Sequence, residues 1–312
     1  MSAHGHGHGH GHGHGGGHGH GHGGEGGAIG TAFWLNFAFT IIEFVGGFAF
    51  NSVAILSDAV HDLGDTLAIG LGWWLGRASE REASPTYTYG YQRLSVLAAV
   101  INAMVLIGGS VYLMAEAVPR LFEPQMPYAP GMLGLSVLGV LVNGAGVLRL
   151  SRAESLNANM IRWHLLEDTL GWVAVLVVSL VLLVWPVPVL DPILSIAFTA
   201  FILFNVLRNL WAAVRVFLQA APAGIDLEQL VTRLRALDAV HDVHHVHVWT
   251  LDGQQHVFSA HIELVDERPV AQLRALKGEL QEIVGGFGFA KSTIEFEWPE
   301  EPCRDAARAA AH

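Results

Sequence analysis

The sequence HDLGD at residues 61–65 has a counterpart in HLLED at residues 164–168, and both stretches lie within apolar segments. Each separates a His from an Asp by four positions, which on a helix places the two side chains on one face, about 5–6 Å apart at Cβ. Two such helices facing each other would offer two imidazoles and two carboxylates, a set that suits four-coordinate zinc. Ionisable groups within a bilayer are costly and are usually functional. The two stretches therefore predict a metal site inside a membrane.

The composition of the chain favours a membrane protein. Of its 312 residues, 52% are hydrophobic and only 14% are charged, whereas about a quarter of the residues in a soluble protein are charged. Six apolar stretches are long enough to cross about 30 Å of hydrocarbon. We place them at 29–50, 53–76, 92–116, 130–150, 163–185 and 190–216. The sequence thus predicts a membrane α-helical domain of six transmembrane helices over residues 28–219.

Net charge and cysteine content exclude several classes of protein. The formal charge of −11 argues against a nucleic-acid partner, because there is no basic stripe to neutralise phosphates. No glycine-rich phosphate loop is present, so a nucleotide is not expected either. The single cysteine, Cys303, rules out a disulfide framework and a cysteine-based zinc module. Membrane lipid is the partner that the composition does predict.

The arginines give the predicted orientation in the membrane. Most of those near the apolar stretches follow the second and fourth stretches or end the sixth: Arg77, Arg81, Arg93, Arg149, Arg152, Arg162 and Arg215. The opposite side offers little beyond Arg120. Since positively charged loops stay in the cytoplasm, both termini are expected there.

Residues 1–27 form a His/Gly-rich arm that we expect to be disordered, because glycine at this density does not support a helix or a strand. The arm could collect zinc or similar ions as an accessory to the main site. A plain spacer and an engineered tag are the alternatives. Its histidines are His4, His6, His8, His10, His12, His14, His18, His20 and His22.

Residues 220–299 have the composition of a soluble domain. From Leu227, leucines and valines recur at helical spacing, which predicts a first helix. Apolar and polar residues then alternate in two segments, 241–250 and 256–265, as in the two strands of a hairpin. A second helix is expected at 269–284 and a last strand at 292–298. This order predicts a small α+β domain with helices on one face of a sheet, followed by a flexible tail at 300–312.

Further candidate ligands lie outside the two His–Asp pairs. Asp58 shares a helix face with His61 and Asp65, and could stand in the ion's entry path or brace the site. In the α+β domain, His244 and His261 could face each other or a partner chain. Strand alternation is expected to separate His244 from His245 and His247. The last strand could add oxygens from Glu295 or Glu297. Histidines on a solvated sheet surface, with no metal role, are the alternative.

The two imidazoles and two carboxylates indicate which ion binds and suggest that metal is exchanged for protons. Imidazole suits zinc and its neighbours, whereas magnesium and calcium prefer all-oxygen shells. Zinc is therefore the leading candidate, and cobalt, nickel, cadmium and manganese stay open. Ligand histidines must be neutral and the aspartates ionised, so an entering metal expels their protons. A site that alternates between the two membrane faces would thus exchange metal for protons, as a secondary transporter does.

At this point the chain resembles the cation diffusion facilitator family, and most closely its bacterial zinc exporters, from residue 29 to 298. The motifs that carry the resemblance are NSVAILSDAVH at 51–61 running on to Asp65, YGYQRL at 89–94, WH at 163–164 running to Asp168, DP at 191–192, and HVW at 247–249 with His261. The resemblance implies a zinc/proton antiporter in the bacterial inner membrane. It also implies a homodimer whose cytoplasmic domain has the ferredoxin-like αββαβ order and binds metal.

The resemblance places the transport ligands on His61, Asp65, His164 and Asp168. A His at position 61, where some relatives have Asp, accompanies zinc preference over cadmium in the family. Two departures stand out. Residues 77–91 contain no His and no Asp, so the extra ion site of some relatives is not expected, and Glu295 stands where some relatives have a His.

Two other functions are weighed against transport. A zinc hydrolase would need an open coordination position and a general base, for which Glu167 or Asp62 could serve. Four protein ligands leave no open position, so an enzyme is not expected. A non-transporting metal sensor would bind zinc tightly without flux.

Overall fold

The computed structural model describes residues 22–79, 81–151, 156–303 and 305. Six long helices make up the first part of the described chain, with a single-turn helix between the third and fourth of them. They are α1 (His22–Ala49), α2 (Val53–Ser79), α3 (Arg93–Ala117), the short α4 (Pro119–Phe122), α5 (Ala129–Leu150), α6 (Leu156–Val184) and α7 (Leu190–Phe217). A smaller α/β domain follows.

The helices differ in how apolar they are. Among the described residues, four stretches are long and apolar enough to cross a membrane: Arg93–Phe122, Ala129–Arg149, Arg162–Val184 and Leu190–Phe217. In α1 the corresponding apolar stretch is shorter, Phe33–Ala49. Large apolar side chains such as Leu141, Val177 and Phe204 point outward, which a soluble protein would not tolerate over such an area. The chain is an integral membrane protein.

Helix α2 lies at the centre of the bundle, packed against α1, α3 and α7. Its first turns are fully enclosed, and Ser57 is hydrogen-bonded to Ser195 of α7, with 2.6 Å between the hydroxyl oxygens. Helices α5 and α6 form a second unit that packs mainly on itself. The buried ring of Trp172 is at the centre of that unit. Polar residues on α2 are therefore shielded from lipid by neighbouring helices.

The connection between α1 and α2 is a tight turn at Asn51 and Ser52. Asn51 has a φ of +52°, a left-handed conformation that Asn tolerates better than most residues. The Ser52 hydroxyl accepts a hydrogen bond from the Ile55 amide, so Ser52 caps α2. Asp191 at the start of α7 accepts bonds from the Ser52 hydroxyl and the Val53 amide. This links α2 to α7 at one end of the bundle.

The main differences from the sequence predictions are at helix starts. Helix α1 begins at His22, so residues 22–27 are helical although we assigned them to the disordered arm. The remaining histidines of the arm lie outside the described residues. Helix α6 begins at Leu156, ahead of the predicted 163. Both extensions follow from helix cooperativity, because adding a residue to an existing helix gains a hydrogen bond without a new nucleation cost.

The α/β domain consists of α8 (Leu227–Arg235), β1 (Val240–Thr250), β2 (His256–Leu264), α9 (Val270–Gly285) and β3 (Phe289–Glu297). Its three-stranded sheet has the order β1-β2-β3, with β1 antiparallel and β3 parallel to β2. Leu230 and Leu234 of α8 and Leu280 of α9 pack on Phe258 and Ile262 of β2. The element order and the α+β class agree with the sequence prediction.

The loop between α2 and α3 contacts the α/β domain. The Gln92 amide donates a hydrogen bond of 2.8 Å to Gln255, just before β2. Tyr89 packs edge-on against Trp249, and the Lys291 ammonium lies over the Tyr89 ring at 4.9 Å from its centroid. The predicted arginine-rich side of the helical domain and the α/β domain are therefore at the same end of the molecule.

Close packing of α5 on α6 depends on Gly139. A Cβ at this position would overlap the fully buried Trp172 ring. We expect Gly139→Ala to lower the melting temperature of the detergent-solubilised protein, because overpacking a close-packed core costs about 1–3 kcal/mol. Gly134→Ala on the same helix is the matched control, since a Cβ there meets nothing within 4 Å. An equal melting temperature for the two variants would contradict this packing.

Candidate metal centres

The two His–Asp pairs come together between α2 and α6. Nε2 of His61 is 3.8 Å from Oδ2 of Asp65 on its own helix and 3.7 Å from Oδ1 of Asp168 on α6. Nε2 of His164 is 3.3 Å from Oδ2 of Asp65 and 3.7 Å from Oδ2 of Asp168. One ligand atom from each residue fits within 4.8 Å of all the others. We call these four residues the quartet.

The spacing of the quartet matches a tetrahedral ion. Zinc binds imidazole nitrogen and carboxylate oxygen at about 2.0–2.2 Å, so the ligand atoms around it lie about 3.3–3.6 Å apart. The four measured separations run from 3.3 to 3.8 Å. Only small side-chain movements would be needed to hold an ion between the two helices.

The quartet is also short of hydrogen-bond partners. Within the described part of the chain, Nε2 of His61, Oδ2 of Asp65 and Oδ1 of Asp168 are buried and form no hydrogen bond. Buried polar atoms without partners are costly and are rarely left in that state. Two carboxylates carry the charge that would balance a divalent cation. The geometry and the charge both fit a metal ion.

A cavity of about 610 Å³ leads to the quartet between α2, α6 and α7. Asp58 and His61 line it from α2, and Phe198 and Phe201 line it from α7. On α6 its wall runs from Trp163 to Gly171. Three of the quartet residues, His61, His164 and Asp168, therefore face one cavity between the helices.

Two further carboxylates lie on α2 beside the quartet. Asp58 is buried, lines the cavity and is outside the tight group of ligand atoms, so its position fits the predicted entry path. Asp62 is directed toward α1, beside the fully buried Glu43. On α1, the Asn36 amide donates to the Asp62 carbonyl at 3.2 Å and to the Thr66 hydroxyl at 2.9 Å. These bonds fix the rotation of α2 about its axis.

A second group of possible ligands lies at the sheet of the α/β domain. It contains His244 of β1, His261 of β2, Glu297 of β3 and Cys303 beyond the last strand. One Glu297 oxygen is 2.8 Å from Nε2 of His244, and the other is 2.8 Å from Nδ1 of His261. Sγ of Cys303 is 3.6 Å from Nδ1 of His261. We call these four residues the sheet cluster.

The predicted ligand Glu295 is in a different place. Its Oε2 is 3.8 Å from Nε2 of His261, the ring nitrogen opposite the one that faces Glu297. Glu295 therefore contacts a sheet-cluster residue without belonging to the tight group. Glu297 and both histidines are where the sequence predicted them.

Strand alternation did not hold at His245. The sheet register shifts between His244 and His247, and His245 has a φ of +47°. This bulge brings the His245 ring within 5.4 Å of the His244 ring and 5.2 Å of the His261 ring, between centroids. The prediction that His245 is kept away from His244 was wrong, because an extra residue in one strand breaks the period of two.

The environment of Glu297 favours its charged form. Burial alone would raise the pKa of this carboxyl. Two kinds of contact outweigh burial and lower the pKa of Glu297 below its ordinary value. They are its hydrogen bonds to Cys303 and His261 and the nearby imidazoles of His244 and His261. Glu297 is thus held as a carboxylate, the form that binds metal.

Sequence analysis missed Cys303 as a candidate ligand. It was considered only as a lone thiol in a short tail, with no second cysteine to suggest a site. Its approach to His261 depends on the path of the chain after Trp298, which no local pattern predicted.

Comparison with known proteins agrees with this architecture. Residues 30–218 match the family model described as the cation efflux transmembrane domain, and residues 222–297 match the cation efflux protein, cytoplasmic domain. Together these matches cover most of the chain.

Several curated relatives align along most of their length. The zinc transporter ZitB of Escherichia coli is 31% identical over 277 residues, which are 87% of each chain. The metal cation efflux system protein CzcD of Cupriavidus metallidurans is 30% identical over 275 residues, 87% of this chain and 86% of the relative. The cadmium, cobalt and zinc/H(+)-K(+) antiporter of Bacillus subtilis is 27% identical over 266 residues, 83% and 85% of the two chains. The chain belongs to the cation diffusion facilitator family of membrane transporters that export metal cations.

Proposed function

We propose that this protein exports zinc from the bacterial cytoplasm in exchange for protons, by alternating access of the quartet. The observation that carries the proposal is the convergence of two imidazole nitrogens with the carboxylates of Asp65 and Asp168, from two helices, at nitrogen–oxygen distances of 3.3–3.8 Å. The zinc transporter ZitB and the antiporter of Bacillus subtilis, as their names describe them, support zinc as the substrate and protons as the coupling ion.

Charge balance supports the exchange. A divalent cation on two carboxylates leaves the quartet neutral, which is the cheapest state for groups in a low-dielectric membrane. When the metal leaves, protons on the imidazoles can restore that neutrality. About two protons per ion would keep the site neutral in both states. Protons arriving from the far side would therefore displace the metal there.

Six transmembrane helices fit this function. The six long helices have between 22 and 29 residues, and about 20 residues are enough to cross the hydrocarbon. Helix α2 carries too many carboxylates to be apolar throughout, and its central place in the bundle shields them. We assign the transmembrane domain to 28–219 and the cytoplasmic domain to 220–299. The arginine distribution favours cytoplasmic termini in the bacterial inner membrane.

We assign a regulatory role to the domain after residue 219. Its αββαβ order suits the ferredoxin-like fold, and a match to the family's cytoplasmic domain supports a homodimer. In this account, metal on His244, His261, Glu295 or Glu297 draws two such domains together and biases the membrane part. The His-rich arm raises the local concentration of metal.

The direct test of transport uses the purified protein in sealed vesicles with a zinc-sensitive dye inside. We expect zinc to enter protein-containing vesicles and not protein-free ones, with slower flux of cobalt, nickel, cadmium and manganese. Faster flux of another ion than of zinc would replace zinc as the substrate. Tight zinc binding without flux would establish the sensor function instead.

Selectivity should depend on His61. We expect His61→Asp to lower the ratio of zinc flux to cadmium flux several-fold, because a carboxylate can supply two oxygens and so suits a larger ion with more ligands. The measurement compares initial rates for both ions in the same vesicles. His245→Asp makes the same chemical change in the α/β domain and should leave the ratio unaltered. An unchanged ratio in His61→Asp would contradict a role of this residue in selectivity.

A further inference from the structure

We propose that the sheet cluster is a metal site with a sulfur ligand, in which the Cys303 thiolate joins His244, His261 and Glu297 around one ion. One donor atom from each residue already fits within 4.8 Å of the others. Transport by the quartet is not required for this proposal. It changes the ligand set that the sequence predicted, with Cys303 in place of Glu295.

Two of the four side chains of the sheet cluster are enclosed. The side chains of Glu297 and His261 are only 7% and 9% exposed. Glu297 lies between the two imidazoles, at 2.8 Å from each. Removing these groups from water is costly unless they are paired or bind a metal. The carboxylate therefore faces one ring nitrogen of each histidine, and Nε2 of His244 is buried without a hydrogen-bond partner among the described residues.

The tail after β3 is folded so that it delivers the thiol. Trp298 and Glu301 form a turn in which the Trp298 amide donates to the Glu301 carboxylate and the Glu301 amide donates to the Trp298 carbonyl, both at 3.0 Å. Glu300, inside the turn, has a left-handed φ of +66°. The chain reverses there and brings Sγ of Cys303 to 3.6 Å from Nδ1 of His261.

The two nitrogens of His261 have different partners, which separates ligands from supporting residues. Nδ1 faces Glu297 and Cys303. Nε2 faces Oε2 of Glu295 at 3.8 Å and Oδ2 of Asp305 at 3.6 Å. Carboxylates on the far nitrogen of a ligand His orient the ring and increase its basicity. Glu295 and Asp305 take that supporting role in our assignment.

The donor set defines the class of ion. Two nitrogens, one oxygen and one thiolate suit zinc and the neighbouring ions cobalt and cadmium, and they exclude magnesium and calcium, which require oxygen. The quartet has no sulfur. The two sites therefore differ in chemistry, and a sulfur-specific signal reports the sheet cluster alone.

The test loads the purified full-length protein with cobalt(II) and records the sulfur-to-cobalt charge-transfer band in the near ultraviolet. Cys303 is the only cysteine of the chain, so this band can arise from no other residue. We expect the band in the wild type and in Asp168→Ala, and we expect its loss in Cys303→Ser. It should also be lost in the double variant His244→Ala/His261→Ala, which keeps the thiol.

Affinity gives a second readout. Loss of a supporting residue costs about 10–100-fold in metal affinity, so we expect Glu295→Gln to weaken cobalt binding by this amount and to keep the band. Cys303→Ser should weaken binding at the sheet cluster more than Glu295→Gln does. Absence of the band in the wild type at saturating cobalt would overturn the proposal. So would a band that persists in the double His variant, because the thiol would then bind cobalt without the sheet cluster.

Discussion

Replacing Asp168 with alanine is expected to reduce zinc flux in sealed vesicles to the level of protein-free vesicles. Asp168 supplies one of the four ligand atoms of the quartet and is its most buried member, with a side chain 10% exposed. Its loss removes a ligand and half of the negative charge that balances the ion, which should weaken zinc binding by at least about 100-fold. Alanine is the best helix former, so α6 should persist.

Glu167→Ala is the matched control for this experiment. Glu167 is the preceding residue on the same helix, is exposed, and has no atom in the quartet. The same chemical change at the same depth should leave most of the zinc flux. Full transport by Asp168→Ala would overturn the assignment of the quartet. Loss of transport in both variants would show that flux depends on any carboxylate at this depth.

The largest effect on stability is expected from Asp191→Ala. Asp191 is 1% exposed and accepts hydrogen bonds from the Ser52 hydroxyl at 2.5 Å and the Val53 amide at 2.8 Å, with the Ala54 amide further off at 3.4 Å. Hydrogen bonds to a charged group contribute about 1.5–3 kcal/mol each. We expect the variant to lose about 3 kcal/mol of stability, measured as a lower melting temperature in detergent.

Asp226→Ala provides the comparison for Asp191. Asp226 caps α8 through one bond of 2.9 Å from the Gln229 amide and is exposed, so its loss should cost about 1 kcal/mol. Equal melting temperatures for the two variants would contradict the role of Asp191 in joining α7 to the start of α2. Asp191→Asn should fall between Asp191→Ala and the wild type, since an amide oxygen still accepts hydrogen bonds.

The quartet could be predicted from the sequence because its geometry is local. A His and an Asp four residues apart share a helix face in any helix, and apolar stretches of more than about 20 residues favour membrane-spanning helices. Placing 61–65 next to 164–168 required one further assumption: that the helix face with the His and Asp side chains avoids lipid in both helices. The structure brings these four residues together as the sequence indicated. Their binding of zinc remains a prediction.

The sheet cluster was only partly predictable because it depends on tertiary structure. The bulge at His245 replaces strict alternation, and its left-handed backbone has no signature in the residues VHHVHV at 243–248. Cys303 approaches His261 from 42 positions away, through a turn in a tail that the sequence predicted to be flexible. Glu295 and Glu297 lie on one strand, and only the three-dimensional register shows which of them faces His244.

In the proposed exchange, zinc and protons move in opposite directions through the quartet. Its most direct test records zinc entry and internal pH together, in vesicles that contain the wild-type protein or Asp168→Ala. With the inside made acidic, we predict that zinc enters faster and that about two protons leave per ion, and that both movements vanish in the variant. Zinc flux that is indifferent to the pH gradient, with no proton movement, would contradict the exchange.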